Sequence, residues 1–532
     1  MPRSTTTASW TDSVSSSRRS TKANAMFSSV LNPIQTQMRE NPQHLALVND
    51  SGSYTFAQLG RRVEGIRQAL RRHTPRCVMI YGHKQLDAAA AMLACAFEAI
   101  PFTFADIANP AARIERIATI VQIDMVLLTC EPRTSFPPLP APTIITTSLA
   151  DSSHLLPAVI PSPEQLFYIL TTSGSTGEPK GVKISYGNFA AFSDWYIPSL
   201  QSERFPGGHV NHACLSFDMG IMDLFPSLAA GKPVLMLNHA HNILPRKNLQ
   251  LLTESAVKAS SWFSTPSFLD IMCMDRQFNA KSLPELRVIF VAGEPVSPSL
   301  VQTLQTRFPQ AEIRHAYGPT ETTCVTHSLC LPPILDAKTI CALPLGRPQG
   351  TNRIVVWDEW KKPLPAGCHG EIVILGPQVG AGYLPHDLPA NRAFGYQDNE
   401  RYYRTGDIGY LDEQGQLFIQ GRKDSQIKWH GNRIDLAEIE KAAGQCDQVK
   451  QSAVFIEKNN NVVTELVLCV HLNIDTPAHR DGLRRSLAQR LPAYMVPRVI
   501  RFTGPFPLTL HGKTDRQALM RQGETDVGAV SK

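Results

Sequence analysis

The stretch TTSGSTGEPKG, residues 171–181, combines glycines, hydroxyl side chains and one lysine in a short segment. Successive backbone N–H groups of such a loop can converge on an anion, and hydroxyls and an ammonium add further donors. The segment lacks the G-x-x-x-x-G-K-[ST] spacing, in which a hydroxyl residue follows the lysine directly, so it is not the loop of an ordinary nucleotide triphosphatase. The sequence therefore predicts a phosphate-binding loop of another kind.

Apolar, strand-like runs alternate with amphipathic helical stretches from Phe27 onward. LALVND, CVMIYG, MVLLTC, TIITT, FYILTT, VLMLN and VIFVAGE indicate strands, and TFAQLGRRVEGIRQALRRH and AAAAMLACAFEAI indicate helices. This alternation is typical of an α/β protein with mainly parallel strands, in which ligands bind at the carboxyl ends of the strands. Because FYILTT runs directly into the glycine loop, we expect the loop to lie at such an end.

The pattern changes after about residue 340, where shorter strands are separated by turn signals, including DEQGQ as a hairpin turn. Past Gly421 a further helix, two strands and a helix follow. We predict an α/β fold with a large multi-subdomain N-terminal domain of parallel-rich sheets at 26–421, a hinge at 422–424, and a small mobile C-terminal α/β domain at 425–520. Residues 1–25, rich in Ser, Thr and Arg, and residues 521–532 are predicted to be tails.

Composition narrows the class of protein. At 532 residues and 43% hydrophobic, the chain can bury a sizeable core in two or three domains. A net charge of +6, with no long basic stripe, argues against nucleic acid as a partner. The scattered cysteines form no C-x-x-C pair and indicate reduced thiols, and no apolar run reaches the length of a membrane span. We expect a cytoplasmic protein without membrane insertion.

Four further motifs stand downstream of the glycine loop: AYGPTETT (316–323), YRTGDIGYL (403–411), GRKDSQIKWHGNRID (421–435) and PLTLHGKTDR (507–516). In order and spacing the five motifs resemble those of the adenylate-forming superfamily, which includes acyl-CoA synthetases, peptide-synthetase adenylation domains and aminoacyl ligases. The resemblance covers roughly residues 30–518. It implies that a carboxylate is joined to the α-phosphate of ATP, that pyrophosphate is released, and that the acyl group then passes to a thiol.

The resemblance also implies roles for individual residues. The phosphates of ATP would be held by Thr172, Ser173, Gly174, Ser175, Thr176, Gly177 and Lys180. Glu321, with Thr176, would hold Mg²⁺, a hard cation that prefers carboxylate and phosphate oxygens. Tyr317 would stack on adenine, Asp407 and Arg422 would meet the ribose, and the remaining nucleotide contacts would come from Gly293, Glu294, Ala316, Gly318 and Thr320.

Lys513 is the residue expected to act in the first half-reaction. Its ammonium would stabilise the charge that develops between the substrate carboxylate and the α-phosphate. His511 occupies a position that is usually Asn in the family. Asp424 matches the family's hinge, about which the small domain rotates between the two half-reactions. An Asp at this hinge favours the aminoacyl branch, because acyl-CoA synthetases more often have Lys there.

The stretch LSFDMGIMDLF, residues 215–225, points to the kind of acid. In aminoacyl members of the superfamily an Asp after the Phe binds the substrate ammonium, and Asp218 has that place. The surrounding sequence is most similar to stand-alone D-alanine:carrier-protein ligases. The resemblance implies a substrate pocket formed by Asp218, Met219, Met222, Ala292 and Ala316. Ala292 stands where D-alanine ligases commonly have Cys, so L-alanine, glycine, serine and proline compete with D-alanine.

The acceptor thiol is expected to come from a separate carrier protein with a phosphopantetheine arm, because the sequence ends shortly after Arg516. CoA is the alternative acceptor. Two other functions stay open at this point. An acyl- or aryl-CoA synthetase would activate hydrophobic acids independently of Asp218, and a non-catalytic nucleotide-binding regulator would not turn over ATP. Lys513, Glu321 and Asp407 argue against the regulator.

Overall fold

The computed structural model describes residues 30–133, 136–172, 179–201, 206–238, 241, 244–333, 342–424, 426–430, 432–459, 462–507, 514–516 and 518–520. Most of the predicted phosphate loop (173–178), Lys513 and both predicted tails lie outside these residues. The helices of the described part are α1 (Leu31–Glu40), α2 (Phe56–His73), α3 (Leu86–Phe97), α4 (Ala111–Val121), α5 (Tyr186–Leu200), α6 (Asp218–Ala229), α7 (Pro245–Glu254), α8 (Pro266–Met274), α9 (Pro298–Arg307), α10 (Leu436–Gly444) and α11 (Pro477–Arg490).

The strands follow the predicted runs and add several that the sequence did not suggest. They are β1 (Leu45–Asn49), β2 (Gly52–Thr55), β3 (Val78–Gly82), β4 (Phe102–Asp106), β5 (Met125–Leu128), β6 (Thr143–Ile145), β7 (Leu166–Thr172), β8 (Lys180–Ser185), β9 (Gly208–Asn211), β10 (Val234–Met236), β11 (Ala259–Ser264), β12 (Val288–Val291), β13 (Glu312–Tyr317), β14 (His327–Cys330), β15 (Arg353–Trp357), β16 (Gly370–Leu375), β17 (Tyr383–Leu384), β18 (Phe394–Gln397), β19 (Glu400–Leu411), β20 (Leu417–Arg422), β21 (Gln426–Trp429), β22 (Asn432–Asp435), β23 (Val449–Asn459), β24 (Val462–Leu472) and β25 (Val499–Phe502).

Two large sheets form the centre of the N-terminal part. The first has the order β14-β13-β12-β11-β9-β10-β1-β2 and the second β17-β8-β7-β4-β3-β5-β6. Their inner strands pair in parallel, and antiparallel pairs occur towards the edges, between β1 and β2, β13 and β14, β7 and β8, and β8 and β17. The prediction of a parallel-rich α/β fold is confirmed.

Helix α3 shows why the sequence folds in this way. Its residues are almost all small or apolar, and every side chain from Asp87 to Phe97 is buried. A helix that is apolar on all sides has to be enclosed by neighbours. Helix α2 is amphipathic instead, and it begins at a capping box in which the Thr55 side chain and the Gln58 side chain each bind the other's backbone N–H.

Smaller sheets follow towards the C-terminus. Strands β15, β16, β18, β19 and β20 pair in an antiparallel manner, and the DEQGQ segment connects β19 to β20 as a hairpin, as predicted. Strands β21 and β22 form a two-stranded hairpin, and β23, β24 and β25 form a third sheet with its own apolar core beneath α10 and α11. No helix among the described residues has the length and apolar character needed to cross a bilayer.

Candidate active site

A cavity of about 360 Å³ lies where the carboxyl ends of strands from both large sheets face the β21–β22 hairpin. Asp106 and Thr172 end strands of one sheet, and Ala292 follows a strand of the other. The predicted site residues that line this cavity are Thr172, Asp218, Met219, Ala292, Gly293, Gly318, Thr320, Asp407 and Arg422. The fold therefore brings predicted nucleotide and substrate residues, which are up to 250 positions apart in sequence, to one place.

Other predicted residues are described by the structure but are not part of this lining. They are Lys180, Met222, Glu294, Ala316, Tyr317, Glu321 and Asp424. Met222 is 1% exposed and packs into the main apolar core. The Glu294 carboxylate accepts hydrogen bonds from the backbone N–H and hydroxyl of Ser267, at the start of α8. Ser173, Gly174, Ser175, Thr176, Gly177 and Lys513 lie outside the described residues.

Glu321 is a fully buried carboxylate surrounded by positive groups. Nη1 of Arg433 donates to both of its oxygens, at 3.0 and 2.8 Å, and the Tyr383 hydroxyl donates to Oε1 at 2.6 Å. The Lys180 ammonium lies 3.8 Å away. Burial raises the pKa of Glu321, but Arg433, Lys180 and Tyr383 outweigh burial and hold that pKa at about 2. The group is therefore an ionised hard-oxygen donor.

Lys180 begins β8 and is 6% exposed. Its Nζ lies 3.9 Å from the centre of the Tyr383 ring, within the range of a cation–π contact. Burial lowers the pKa of Lys180 to about 8, although Glu321 opposes this effect. Across the β7–β8 pair, Thr172 lies opposite Lys180 in register, and its buried hydroxyl has no hydrogen-bond partner among the described residues. An ammonium and a hydroxyl thus flank the ends of the predicted phosphate loop.

Tyr317, Asp407 and Arg422 form one connected chain of contacts. The Tyr317 hydroxyl donates to Oδ2 of Asp407, and Nη1 of Arg422 donates to Oδ1 of the same carboxylate at 2.6 Å. Arg422 also donates to Asp424, from Nε to Oδ1 at 2.8 Å and from Nη2 to Oδ2 at 3.0 Å. The residue predicted as the hinge is therefore tied to the residues predicted to meet the ribose.

Asp218 is the first residue of α6, and its carboxylate faces the cavity. The Thr320 hydroxyl donates to its Oδ2 at 2.7 Å, and the backbone N–H of Met219 donates to Oδ1 at 2.8 Å. Burial raises the pKa of Asp218, while these hydrogen bonds and the nearby Lys428 oppose the rise. A half-buried carboxylate of this kind is stabilised by a cation.

The β21–β22 hairpin supplies residues to which the sequence analysis gave no role. Lys428, His430, Asn432 and Arg433 all line the cavity, and Nζ of Lys428 lies 5.6 Å from the centre of the Tyr317 ring. Burial lowers the pKa of Lys428, and Asp407 and Asp218 partly restore it. One sequence signal could have indicated these residues. In IKWHGNR, residues 427–433, basic residues alternate with others, which is typical of a strand hairpin with one charged face.

A second contact joins the C-terminal part to the large sheets. Nη1 of Arg113, on α4, donates to Oε1 of Glu438, on α10, at 2.6 Å. Their side chains are 6% and 4% exposed, so the ion pair is buried. Together with the pair of Arg433 and Glu321, it joins the C-terminal part to the large sheets in the orientation described here, with the hairpin at the cavity.

Comparison with known families agrees with this arrangement. The profile described as "AMP-binding enzyme" matches residues 34–384, and the profile described as "AMP-binding enzyme C-terminal domain" matches residues 438–513. This chain belongs to the AMP-binding enzyme family. The sequence-based prediction of an adenylate-forming enzyme with a large N-terminal and a smaller C-terminal domain is confirmed.

Two curated relatives cover nearly the whole chain. A D-alanine--D-alanyl carrier protein ligase from Bacillus licheniformis is 33% identical over 518 residues, which cover 93% of this chain and 99% of the relative. The protein of the same name from Bacillus cytotoxicus is 32% identical over 510 residues, again 93% of this chain and 99% of the relative.

Solved structures share the fold at lower identity. A Vibrio cholerae adenylation domain, AlmE, in complex with glycyl-adenosine-5'-phosphate has a TM-score of 0.78 at 21% identity, covering 94% of this chain and 98% of that one. A nonribosomal peptide synthetase protein with adenylation and PCP domains, bound to a vinylsulfonamide inhibitor, has a TM-score of 0.76 at 24% identity, covering 93% and 84%.

Proposed function

We propose that this chain activates a small amino acid with ATP and passes it to the phosphopantetheine thiol of a separate carrier protein. In the first step a carboxylate oxygen of the amino acid attacks the α-phosphorus of ATP, and the bond to the leaving pyrophosphate breaks. In the second step the thiol sulfur attacks the acyl carbon, loses its proton, and AMP leaves. The enzyme is then an AMP-forming ligase.

One observation supports the amino acid in particular. The Asp218 carboxylate lies half-buried at the wall of the cavity, and the groups that donate hydrogen bonds to it, the Thr320 hydroxyl and the Met219 N–H, are neutral. A substrate α-ammonium would supply a full counter-charge to it, whereas a fatty or aryl acid would leave the carboxylate buried beside apolar carbon. The structure therefore favours the aminoacyl ligase over the acyl-CoA synthetase.

The size of the substrate side chain follows from its neighbours. Met219 and Ala292 line the cavity beside Asp218, and the Met219 Sδ lies 3.6 Å from the position that a Cβ on Gly293 would take. A methionine so close to the cavity floor leaves room for a short side chain. The two Bacillus relatives are named for D-alanine, which is consistent with this size. D-alanine, L-alanine, glycine, serine and proline are the candidates.

For ATP, we propose the contacts expected from the sequence. Thr172 and Lys180, with Ser173 to Gly177 between them, hold the β- and γ-phosphates, and the Thr172 hydroxyl, which has no hydrogen-bond partner within the described part of the chain, supports this role. Tyr317, Ala316, Gly318, Thr320, Gly293 and Glu294 form the adenine side. Asp407 and Arg422 meet the ribose. Since Tyr317 and Arg422 now bind the Asp407 carboxylate, the ribose hydroxyls would share or replace these contacts.

Mg²⁺ is part of the proposal, held by Glu321 and by Thr176 in the phosphate loop. Glu321 fits the ion, because its carboxylate is ionised and lies beside Lys180 at the end of that loop. The bound ion would neutralise phosphate charge. In the described orientation Arg433 contacts both Glu321 oxygens, so the C-terminal part has to withdraw before the carboxylate can hold a metal.

We further propose the boundaries 26–421, 422–424 and 425–520 for the large domain, the hinge at Asp424 and the lid. Lys513 would enter the site for adenylation when the lid has rotated. The acceptor is a carrier protein in trans, as the name of the Bacillus relatives and the PCP-containing structure suggest, and CoA is the alternative. A cytoplasmic location is proposed because the described cysteines form no disulfide.

Pyrophosphate exchange tests the proposal. Exchange of labelled pyrophosphate into ATP is measured with the L-amino acids, D-alanine, and a panel of fatty and aryl acids. We expect exchange with one or a few small amino acids, and its loss in Lys513→Ala. Exchange with hydrophobic acids alone would support the acyl-CoA synthetase, and no exchange with any acid would support the regulator.

A further inference from the structure

Three side chains of types that can bind a metal ion, His83, Asp106 and Cys214, converge beside the cavity, at a place to which the proposed reaction gives no role. His83 directly follows β3, Asp106 ends β4, and Cys214 lies just beyond β9. Strands β3 and β4 are parallel neighbours, with Gly82 opposite Asp106, while β9 belongs to the other large sheet. The three side chains therefore meet where the carboxyl ends of the two sheets face each other.

Their donor atoms are close enough to share one ion. His83 Nδ1 lies 2.7 Å from Asp106 Oδ2, and the Cys214 thiol donates to the same oxygen at 2.9 Å. All three donor atoms lie within 4.8 Å of one another, and all three residues are buried. In a tetrahedral zinc site the bonds to nitrogen and oxygen are about 2.0 to 2.2 Å and that to sulfur about 2.3 Å, so the side chains would have to move apart around a bound ion.

The surroundings orient these ligands. The backbone N–H of Ala108 donates to Oδ1 of Asp106 at 2.9 Å, so Oδ2 is left facing the imidazole and the thiol. The Ser216 hydroxyl donates to Sγ of Cys214 at 3.2 Å, a contact that stabilises a thiolate. Hydrogen bonds of this kind to the ligands are typical of protein metal sites.

We propose that His83, Asp106 and Cys214 bind one thiophilic divalent cation of the Zn²⁺ type. Imidazole, carboxylate and thiolate together form a donor set that selects zinc-like ions over Mg²⁺ or Ca²⁺. The site differs from the proposed Mg²⁺ position in both residues and ligand chemistry. The three ligands would leave a fourth tetrahedral position open for an outside ligand. Because Asp106 and Cys214 line the cavity, that ligand could come from the cavity.

Binding has to displace a proton from sulfur. Without a metal, the Cys214 thiol donates its proton to Oδ2 of Asp106, and metal binding releases that proton.

The fourth position has a consequence that rests on the proposed function. Because Asp106 and Cys214 line the cavity, an acceptor thiol in it could take the fourth position, and a bound Zn²⁺ would hold that thiol as a thiolate. A small thiol, N-acetylcysteamine, serves as the probe for this part. It should intensify the sulfur-to-metal absorption of the metal-loaded enzyme whether or not the chain activates an amino acid.

Cobalt substitution tests the site. Co²⁺ is titrated into the full-length, chelator-treated protein, and the near-ultraviolet sulfur-to-cobalt band is recorded, followed by competition with Zn²⁺. We expect one equivalent to bind and the band to be absent in Cys214→Ser. Loss of a direct ligand should weaken Zn²⁺ binding by more than about 100-fold, since loss of an outer-shell partner alone costs about 10- to 100-fold.

The matched control is Cys324→Ser, because Cys324 is also buried, lines the same cavity and stands outside the cluster. It should keep the band. His83→Gln provides a second ligand variant, and metal-free thermal unfolding checks that each variant folds. No sulfur band in the wild-type protein, or equal Zn²⁺ affinity in wild type and the folded Cys214→Ser and His83→Gln variants, would overturn the site. No response to N-acetylcysteamine would overturn the open fourth position.

Discussion

The Arg433 guanidinium, from the C-terminal part, contacts both carboxylate oxygens of Glu321 in the large domain, at 3.0 and 2.8 Å. Glu321 is the residue proposed to hold Mg²⁺. In this orientation a side chain of the same protein supplies the positive charge that the metal would supply. Because Arg433 occupies both oxygens of this carboxylate, a metal bound there would compete with it, and the position of the C-terminal part and metal binding would be linked.

The first prediction concerns this competition. Replacing Arg433 with Met removes the competing cation but leaves Lys180 and Tyr383 beside Glu321, and we expect half-maximal pyrophosphate exchange at several-fold lower Mg²⁺ concentration. The measurement is exchange rate against free Mg²⁺. Arg433→Lys is the matched control, and its Mg²⁺ concentration at half-maximal exchange should lie between those of wild type and Arg433→Met. An unchanged Mg²⁺ requirement in Arg433→Met would show that the two cations do not compete.

The second prediction concerns the buried pair of Arg113 and Glu438. Arg113→Met leaves an unpaired buried carboxylate, which typically costs about 3 to 5 kcal/mol. We expect the C-terminal part to leave this orientation rather than bear that cost, which small-angle X-ray scattering would record as a changed profile. Adding Glu438→Leu to Arg113→Met removes the unpaired carboxylate and should largely restore the wild-type scattering profile. Arg353→Met is the control. It removes an exposed ion pair with Glu400, whose loss should lower the free energy of unfolding by at most about 1 kcal/mol and leave the scattering profile unchanged. Identical profiles for wild type and Arg113→Met would contradict the prediction.

The third prediction concerns pH. The Lys180 ammonium, with its pKa near 8, is charged below that pH and neutral above it. Affinity for ATP should thus be constant below about pH 8 and fall above it, approaching tenfold per pH unit. The affinity for ATP is measured by calorimetric titration from about pH 7 to about pH 9.5, a range that brackets the pKa of Lys180. Lys180→Arg keeps its charge and should lose the pH dependence. The same slope in both proteins would assign the titration to another group.

The fourth prediction tests how closely α6 is packed beside Asp218. A Cβ on Gly220 would come within 2.2 Å of the backbone oxygen of Cys214, so Gly220→Ala forces the start of α6 outward. We expect a loss of about 1 to 3 kcal/mol in the free energy of unfolding, together with weaker amino acid binding. Gly444→Ala, with open space around it at the end of α10, is the control and should be nearly neutral. The free energies of unfolding of both variants are measured by denaturant unfolding. Equal values for Gly220→Ala and Gly444→Ala would refute the packing argument.

Local structure could be predicted from the sequence because its signals are local. The runs LALVND, CVMIYG and VIFVAGE became β1, β3 and β12, and the amphipathic run after Tyr54 became α2 with its capping box. Strand β8 was not predicted, because KGVKIS directly follows the glycine loop and its pairing with β7 depends on how that loop turns.

The orientation of the C-terminal part could not be predicted, because it depends on contacts such as Arg113 with Glu438, which are 325 positions apart. Periodicity carries no information about such pairs. For the same reason the motifs located Asp218 and Asp407 at the cavity, but the roles of Lys428 and Arg433 became visible only when the hairpin was seen inserted there.

The most direct test of the central claim compares an amino acid with its des-amino analogue. The best amino acid from the exchange panel and the corresponding acid without the α-amino group are assayed with wild type and Asp218→Asn. We predict that Asp218→Asn lowers kcat/KM for the amino acid by at least about 30-fold, the equivalent of 2 kcal/mol for a buried charge pair, and leaves the des-amino acid nearly unchanged. Equal loss for both substrates, or none for the amino acid, would contradict recognition of a substrate ammonium by Asp218.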